Sequence, residues 1–262
     1  MIHRTRIEDQ TAAAEAAGFR FGAIGTHTSR TMMLAELSEL LLHSPSHATR
    51  AHYAHNIIEE NVLEKQTTAT RKLTNQRLGE LYGLSRSIPI FRVLQRLWAE
   101  DVQGRPLMAL LVALARDPLL RATIPCVLSL PQGQELVRTR MLSELRLAVG
   151  ERLNDSTLEK VARNASSSWT QSGHLHGRVR KIRRRVDPSP GPVALALWMG
   201  HSEGLAGEQL LGCQWCRVLD RTASGIVDEV LLAKQRGLVH AIIGGGVVEV
   251  DVRGLDSDSV AR

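Results

Sequence analysis

Aromatic side chains and cysteines are scarce in this chain. Its 262 residues include 4 tryptophans, 2 tyrosines, 3 phenylalanines and 3 cysteines. Because β-sheets favour aromatic and β-branched side chains, this composition argues against an all-β sandwich or barrel. Three cysteines are too few for the disulfide framework of a secreted protein, so we expect a reducing, cytoplasmic location.

Long apolar runs are also missing. The longest uncharged apolar run, 106–115, lies between Arg105 and Arg116, and it is too short to cross a bilayer, which takes about 20 residues. The first thirty residues do not read as a signal peptide. We therefore expect no membrane partner.

Several common catalytic motifs are absent. The sequence has no Walker A loop, no G-x-G-x-x-G opening a helix and no Asn-Pro methyltransferase motif. Residues 249–253 read Glu-Val-Asp-Val-Arg, where a restriction-type nuclease needs lysine, and we interpret them as a strand with solvent-facing acids. The prediction is a protein that is not an enzyme and uses no cofactor.

Metal-ligand patterns are weak. Cys213-Gln-Trp-Cys216 stands alone, whereas a structural zinc site usually needs four ligands. We interpret this segment as a helix that packs Trp215 and Val218 into the core. His47, His52 and His55 are interpreted as surface or cap residues, and no metal site is predicted.

What the chain does have is helix-forming composition. Apolar residues make up 43% and charged residues 23%, enough for a core, and Leu, Ala, Arg and Glu favour helices. We predict a mainly α fold: a helical bundle core with helix-turn-helix or winged-helix-like lobes at both ends and one or two short β-hairpins. The predicted divisions are a loosely held N-terminal arm (1–25), a helix-turn-helix-like lobe (26–87), a helical core (88–150), one or two winged-helix-like C-terminal lobes (151–255) and a frayed tail (256–262).

Two places read as a helix end, a glycine and then extended chain. They contain Gly173 and Gly237. After Gly237, two β-branched runs flank three glycines, which predicts a hairpin. A helix that leads into a hairpin is the end of a winged helix-turn-helix, and the chain has either two such endings or a coincidence of glycine caps.

Positive charge is concentrated in one segment. The chain carries +6, yet 160–186 alone carries +8 and contains no acid, so the rest sums to −2. Such a concentration of arginine is typical of phosphate binding. The alternatives are a solvated charge run or a face that grips an acidic protein. The candidate nucleic-acid-binding residues here are Lys160, Arg163, Gln171, His174, Arg178, Arg180, Lys181, Arg183, Arg184 and Arg185.

The local structure of this segment has two interpretations. Gly173 and Gly177 favour a bent, extended wing, whereas Leu175, Val179, Ile182 and Val186 recur at helical spacing. In either form we expect that reversing Arg183, Arg184 and Arg185 to glutamate removes most DNA binding without unfolding the protein.

A second cationic cluster lies on a predicted helix. Thr67 or Thr68 caps this helix and Gly83 ends it, and 65–79 contains no acid. Its candidate residues are Arg71, Lys72 and Arg77. They belong either to a groove-facing helix or to an ordinary exposed one.

Five stretches carry a resemblance to a known family. They are Ile-Ile-Glu-Glu-Asn-Val-Leu at 57–63, the threonine-rich 67–71, Phe-Arg-Val-Leu at 91–94, residues 155–163, and Trp-Thr-Gln-Ser-Gly-His-Leu at 169–175. In order and spacing they resemble the BrxA family of bacteriophage-exclusion (BREX) defence systems, over most of 28–186. The resemblance implies a small helical DNA-binding protein with winged-helix-like ends that acts beside other BREX proteins.

These observations favour a non-catalytic accessory protein of phage defence that binds duplex DNA mainly through phosphates. One alternative is an RNA-binding, antitermination-like helical protein. Scarce aromatics disfavour single-strand stacking but leave duplex RNA open. The other alternative is a protein-interaction scaffold within the defence complex.

Overall fold

The computed structural model describes residues 2–22 and 24–256, and it is mainly helical with two small antiparallel two-stranded sheets. The predicted fold class is confirmed. The helices are α1 (Ile2–Ala17), α2 (Leu34–Leu42), α3 (Arg50–Ile58), α4 (Thr68–Tyr82), α5 (Pro89–Glu100), α6 (Arg105–Arg116), α7 (Pro118–Arg121), α8 (Ile124–Leu128), α9 (Arg138–Val149), α10 (Asp155–Gln171), α11 (Pro190–Ser202), α12 (Glu208–Leu211), α13 (Gln214–Val218) and α14 (Val227–Gln235). The strands are β1 (Leu175–His176), β2 (Ile182–Arg183), β3 (His240–Gly244) and β4 (Val247–Asp251).

Two helices that are apolar all round between their ends form the centre. Each starts with proline in its first turn, where the missing N–H costs no hydrogen bond. In α6 every residue from 107 to 116 is buried, and in α11 every residue from 191 to 200. A helix without a polar face must be covered on every side; α5, α13 and α14 pack against α11, and α4 and α5 against α6.

The expected loose arm at the N-terminus is instead the helix α1, which is a correction. Ala14 and Ala17 lie one turn apart on one face and are buried, and Phe19 follows them into the core. The rings of Phe19 and Trp215 pack in a T-shaped, edge-to-face arrangement, with their centroids 5.6 Å apart. Small side chains at this spacing let the helix approach the body closely, a feature that was not predicted from the sequence.

Helix α4 has the predicted bounds. The Thr67 hydroxyl accepts a hydrogen bond from the Thr70 N–H at 3.1 Å, and Gly83 ends the helix at a φ of 89°. A left-handed φ suits glycine, which has no Cβ to clash.

The basic segment forms a hairpin, as the wing interpretation predicted. Leu175 pairs with Arg183 and His176 with Ile182, and residues 177–181 form the turn. A third extended piece joins it, because the Leu136 N–H donates to the Lys181 carbonyl at 2.7 Å. The second predicted hairpin is also confirmed, with β3 and β4 paired over five positions around Gly245 and Gly246.

The predicted frayed tail is described only at its first residue. Asp256 is buried, and its carboxylate lies 2.7 Å from the Arg92 guanidinium. Residues 257–262 lie outside the described part of the chain. Among the helices that the structure describes, none combines the length and the apolar character needed to cross a membrane.

Candidate nucleic-acid interface

Helix α10 presents two of the predicted cations to solvent. The Asn154 side chain caps the helix by accepting from the Thr157 N–H at 2.9 Å. One face of the helix is buried against the body, so the other faces out with Lys160 and Arg163. The buried face consists of Leu158, Val161, Ala162, Ala165, Ser168 and Trp169.

The adjoining hairpin adds three exposed arginines, Arg178, Arg184 and Arg185. Within residues 2–22 and 24–256 these three, like Lys160 and Arg163, have no carboxylate within ion-pair distance. We call these five residues the open cations. An unpaired exposed guanidinium or ammonium is available to a phosphate without first breaking a protein contact.

Two further candidates are exposed or half-exposed but already engaged. Arg180 forms a 2.7 Å ion pair with Glu135, which raises the pKa of its guanidinium through the hydrogen bond and the opposite charge. The Lys181 ammonium donates to the Gly177 carbonyl at 2.7 Å, across the turn. These contacts stiffen the hairpin, so a phosphate would have to compete for both side chains.

Arg183 is a correction. Its side chain is 2% exposed and forms an ion pair with the nearly buried Asp220. Its Nε also donates to the Val127 carbonyl at 3.1 Å, and Asp220 accepts from the Val186 N–H at 2.9 Å. These contacts occupy the guanidinium, so it is not available to a phosphate. Reversing Arg183 would set two carboxylates together in the interior, so the triple reversal is now expected to destabilise the fold.

His174 is also a correction, because it is buried and holds the fold together, whereas Gln171 is half-exposed and already makes one structural contact. His174 is fully buried, its Nε2 donates to the Val218 carbonyl at 2.7 Å, and its Nδ1 lies 2.8 Å from the Ser172 hydroxyl. Burial lowers the pKa of His174 to about 4, so the ring is neutral at pH 7. The Gln171 amide oxygen accepts from the Leu34 N–H at 3.2 Å and ties α10 to α2.

The cluster on α4 is mostly engaged. Arg71 donates to the carbonyls of Ile58 and Lys65 and closes the loop before the helix. Arg77 lies 2.8 Å from Glu80, an acid one turn further on, just past the acid-free stretch. Of the three α4 candidates, only Lys72 is exposed and without a partner among the described residues.

One arrangement was not predicted from the sequence: a carboxylate–imidazole–hydroxyl chain of Asp117, His27 and Ser168. His27 Nδ1 lies 2.8 Å from Asp117 Oδ2, and His27 Nε2 lies 2.8 Å from Ser168 Oγ. The three residues come from widely separated parts of the chain, so no sequence motif marks them. The order of groups is that of a serine-hydrolase triad.

The burial of this chain of groups argues for a structural role. None of the three residues is more than 1% exposed, and Ser168 Oγ also accepts from the Met32 N–H at 2.8 Å. Burial raises the pKa of Asp117, but the charge and hydrogen bond of His27 outweigh it and hold that pKa below its usual value. No substrate can reach the hydroxyl as it stands, and the three groups join α10, α7 and the turn before α2.

No known family profile matches the chain, and a search of curated proteins finds no match. A function is therefore proposed below from the geometry and charge of the surface and from the sequence resemblance.

Proposed function

We propose that the protein is a non-catalytic, duplex-DNA-binding accessory protein of a BREX-type phage-defence system. The observation that carries the proposal is the set of open cations, which line one exposed helix face and the hairpin that directly follows it. The proposal's defence context comes from the sequence resemblance, and its DNA-binding chemistry comes from this surface.

The order of elements supports a duplex as the ligand. Helix α8, the extended piece at 134–136, helices α9 and α10, and the β1–β2 hairpin follow in the order of a winged helix-turn-helix. In that motif the second helix of the pair enters the major groove. Helix α10 takes that position, and its exposed Lys160 and Arg163 point away from the body. The hairpin arginines then contact the flanking phosphates.

Single-stranded nucleic acid is the weaker fit. Single-strand binding generally uses aromatic rings on which bases stack. Most of the described aromatic rings are buried, including Tyr53, Phe91 and Trp169. Phe21 is exposed, but the Arg121 guanidinium covers its ring at 4.8 Å.

Salt dependence gives the first measurement. Each phosphate neutralised on duplex DNA contributes roughly −0.9 to the slope of log affinity against log salt, so five contacts give about −4.5. Fluorescence anisotropy with a labelled DNA duplex, the matching RNA duplex and each single strand, between about 50 and 200 mM salt, measures that slope. Tighter binding of the RNA duplex would favour the antitermination-like alternative.

Charge reversal tests the surface itself. Arg178→Glu with Arg184→Glu removes two open cations and spares the buried Arg183. We expect loss of most duplex affinity and a slope flatter by about two, because each lost phosphate contact costs about one unit. The loss should be similar for unrelated DNA sequences, since phosphate contacts carry no base information.

The matched control is Lys234→Glu with Arg236→Glu. Both residues are exposed and lie just before the second hairpin, so the net charge changes equally. We expect this control to bind nearly as tightly as the unmodified protein. If both double variants lose affinity equally, only net charge matters and the proposed surface is wrong. If neither does, the scaffold alternative becomes the better explanation, and an acidic partner should be sought.

A further inference from the structure

A cavity of about 550 Å³ opens beside the hairpin. Its apolar wall comes from α8, with Ile124, Pro125 and Leu128. The lining also contains arginines from the end of the hairpin and from α13. The volume lies within the range of about 300–1,000 Å³ that is usual for small-molecule sites.

The charged lining has two unpaired cations. Arg183 and Asp220 line the cavity but neutralise each other, and Arg221 is held by Glu229 and Asp187. Arg185 and Arg217 also line it, are exposed, and have no carboxylate partner in the part of the chain that the structure describes. The cavity lining therefore combines unpaired positive charge with an apolar surface.

This combination selects a ligand with two parts. A planar guanidinium fork binds phosphate or carboxylate oxygens in pairs, and two such forks favour an anion over a neutral group. The α8 wall is suited to a flat apolar group. The Gln214 amide, also in the lining, can donate and accept along the edge of such a group.

We propose that this cavity binds one nucleotide, with the base against α8 and the phosphate between Arg185 and Arg217. The choice of a nucleotide over other aromatic anions rests on the proposed function, because Arg185 belongs to both the cavity and the open cations. The nucleotide has two possible sources: a free mononucleotide, or a terminal nucleotide of a bound strand.

Calorimetry with the full chain separates these sources and tests the chemistry. The probes are deoxynucleoside monophosphates, the corresponding uncharged deoxynucleosides, inorganic phosphate, and a duplex with and without a 5′-phosphorylated single-nucleotide overhang. We expect a monophosphate to bind at least tenfold more tightly than either inorganic phosphate or the uncharged nucleoside, or the overhang duplex to bind at least tenfold more tightly than the duplex without the overhang. Equal binding of inorganic phosphate overturns the nucleotide assignment, and so does absence of binding by both the monophosphates and the overhang.

Two single substitutions distinguish the cavity from the DNA surface. Arg217→Ala removes a cavity cation outside the hairpin and should weaken the nucleotide probe about tenfold, with blunt-duplex affinity nearly unchanged. Arg178→Ala, a matched change at the hairpin turn, should weaken binding of the blunt duplex and leave the affinity for the nucleotide probe nearly unchanged. Both residues are exposed, and circular dichroism verifies the fold of each variant.

The outcomes are separable. If the blunt duplex fails to bind but the monophosphate binds through Arg217, the proposed function fails and the cavity stands as a free-nucleotide site. If the duplex binds through Arg178 but Arg217→Ala changes no probe, the cavity proposal fails alone.

Discussion

Two parts of this molecule share one local design. In each, a helix ends at a glycine with a left-handed φ and leads into an antiparallel hairpin: α10 with Gly173 (φ 91°) and β1–β2, and α14 with Gly237 (φ 72°) and β3–β4. We call them the first and second helix–hairpin units. The two glycine endings seen in the sequence are thus real structural counterparts.

The two units differ in what their hairpins present. The first hairpin has two paired positions and a cationic turn that contains Arg178, Arg180 and Lys181. The second has five paired positions, a glycine turn, and outward-facing Val247 and Glu249. The same backbone unit therefore does not specify a binding surface. Exposed side chains, which the fold leaves free to vary, determine what each hairpin can bind.

The hairpins are also anchored differently. The first is held by a buried ion pair between Arg183 on β2 and Asp220 in the loop after α13. The second is held by apolar burial of Ala241 and Val252. The polar anchor depends on charge and geometry, and the apolar anchor only on exclusion of water. The four predictions that follow probe this contrast, from the largest expected effect to the smallest.

Loss of the ion pair should have the largest effect. Arg183→Ala leaves Asp220 buried without its cation, and we expect a loss of about 3–5 kcal/mol in the free energy of unfolding. Arg184→Ala, its exposed neighbour, should change that free energy by less than about 0.5 kcal/mol. Urea unfolding of both variants measures the difference, and equal losses would contradict the role given to the pair.

The first unit should also respond to acid through His174. Burial lowers the pKa of His174 to about 4, against an ordinary value of 6.5, so the unfolded chain binds this proton first. Stability from this group is complete above pH 6.5 and falls as the pH drops towards 4, by about 2 kcal/mol at pH 5. Urea titrations at pH 6.5 and at pH 5 measure this loss in the free energy of unfolding. His174→Gln should flatten the pH dependence over this window, and an unchanged slope would refute the assignment.

The region before the second unit should need no metal. Cys213 and Cys216 are buried with sulfurs 3.5 Å apart, and the described residues contain no group of three metal-ligating side chains. We expect no stoichiometric zinc in purified protein, and a cost of about 1–2 kcal/mol when both cysteines become serine, because two hydroxyls replace two thiols in an apolar site. If one zinc ion per chain is bound and is lost in this variant, the prediction is wrong and a metal cross-links this region.

The smallest effect is expected from making the second hairpin resemble the first. Val247→Arg with Glu249→Arg places two cations on an exposed strand. The free energy of unfolding should change by less than about 0.5 kcal/mol. If the proposed DNA binding is correct and this hairpin can reach the duplex, the salt slope steepens by about one to two units. An unchanged slope would indicate that the second hairpin lies away from the DNA.

Features with local causes could be predicted from the sequence. The Thr67 cap, the Gly83 stop and both hairpins depend on residues within a few positions of one another. The burial of Arg183 could not be predicted, because its partner Asp220 follows 37 residues later in the chain. The neighbouring Arg184 has the same chemistry, so nothing local distinguishes the buried arginine from the exposed one. The buried chain of Asp117, His27 and Ser168 depends on tertiary packing in the same way. For the candidate site, the sequence indicated the segment, and the fold then separated the open cations from the structural ones.

The burial of Phe19 against Trp215 has a consequence for how the chain is made. Because synthesis proceeds from the N-terminus, Phe19 leaves the ribosome long before α13 exists to cover it. This contact can form only after α13 and the intervening helices have been synthesised. Until then the nascent chain carries an uncovered apolar segment, and such transient exposure is where aggregation and chaperone capture act.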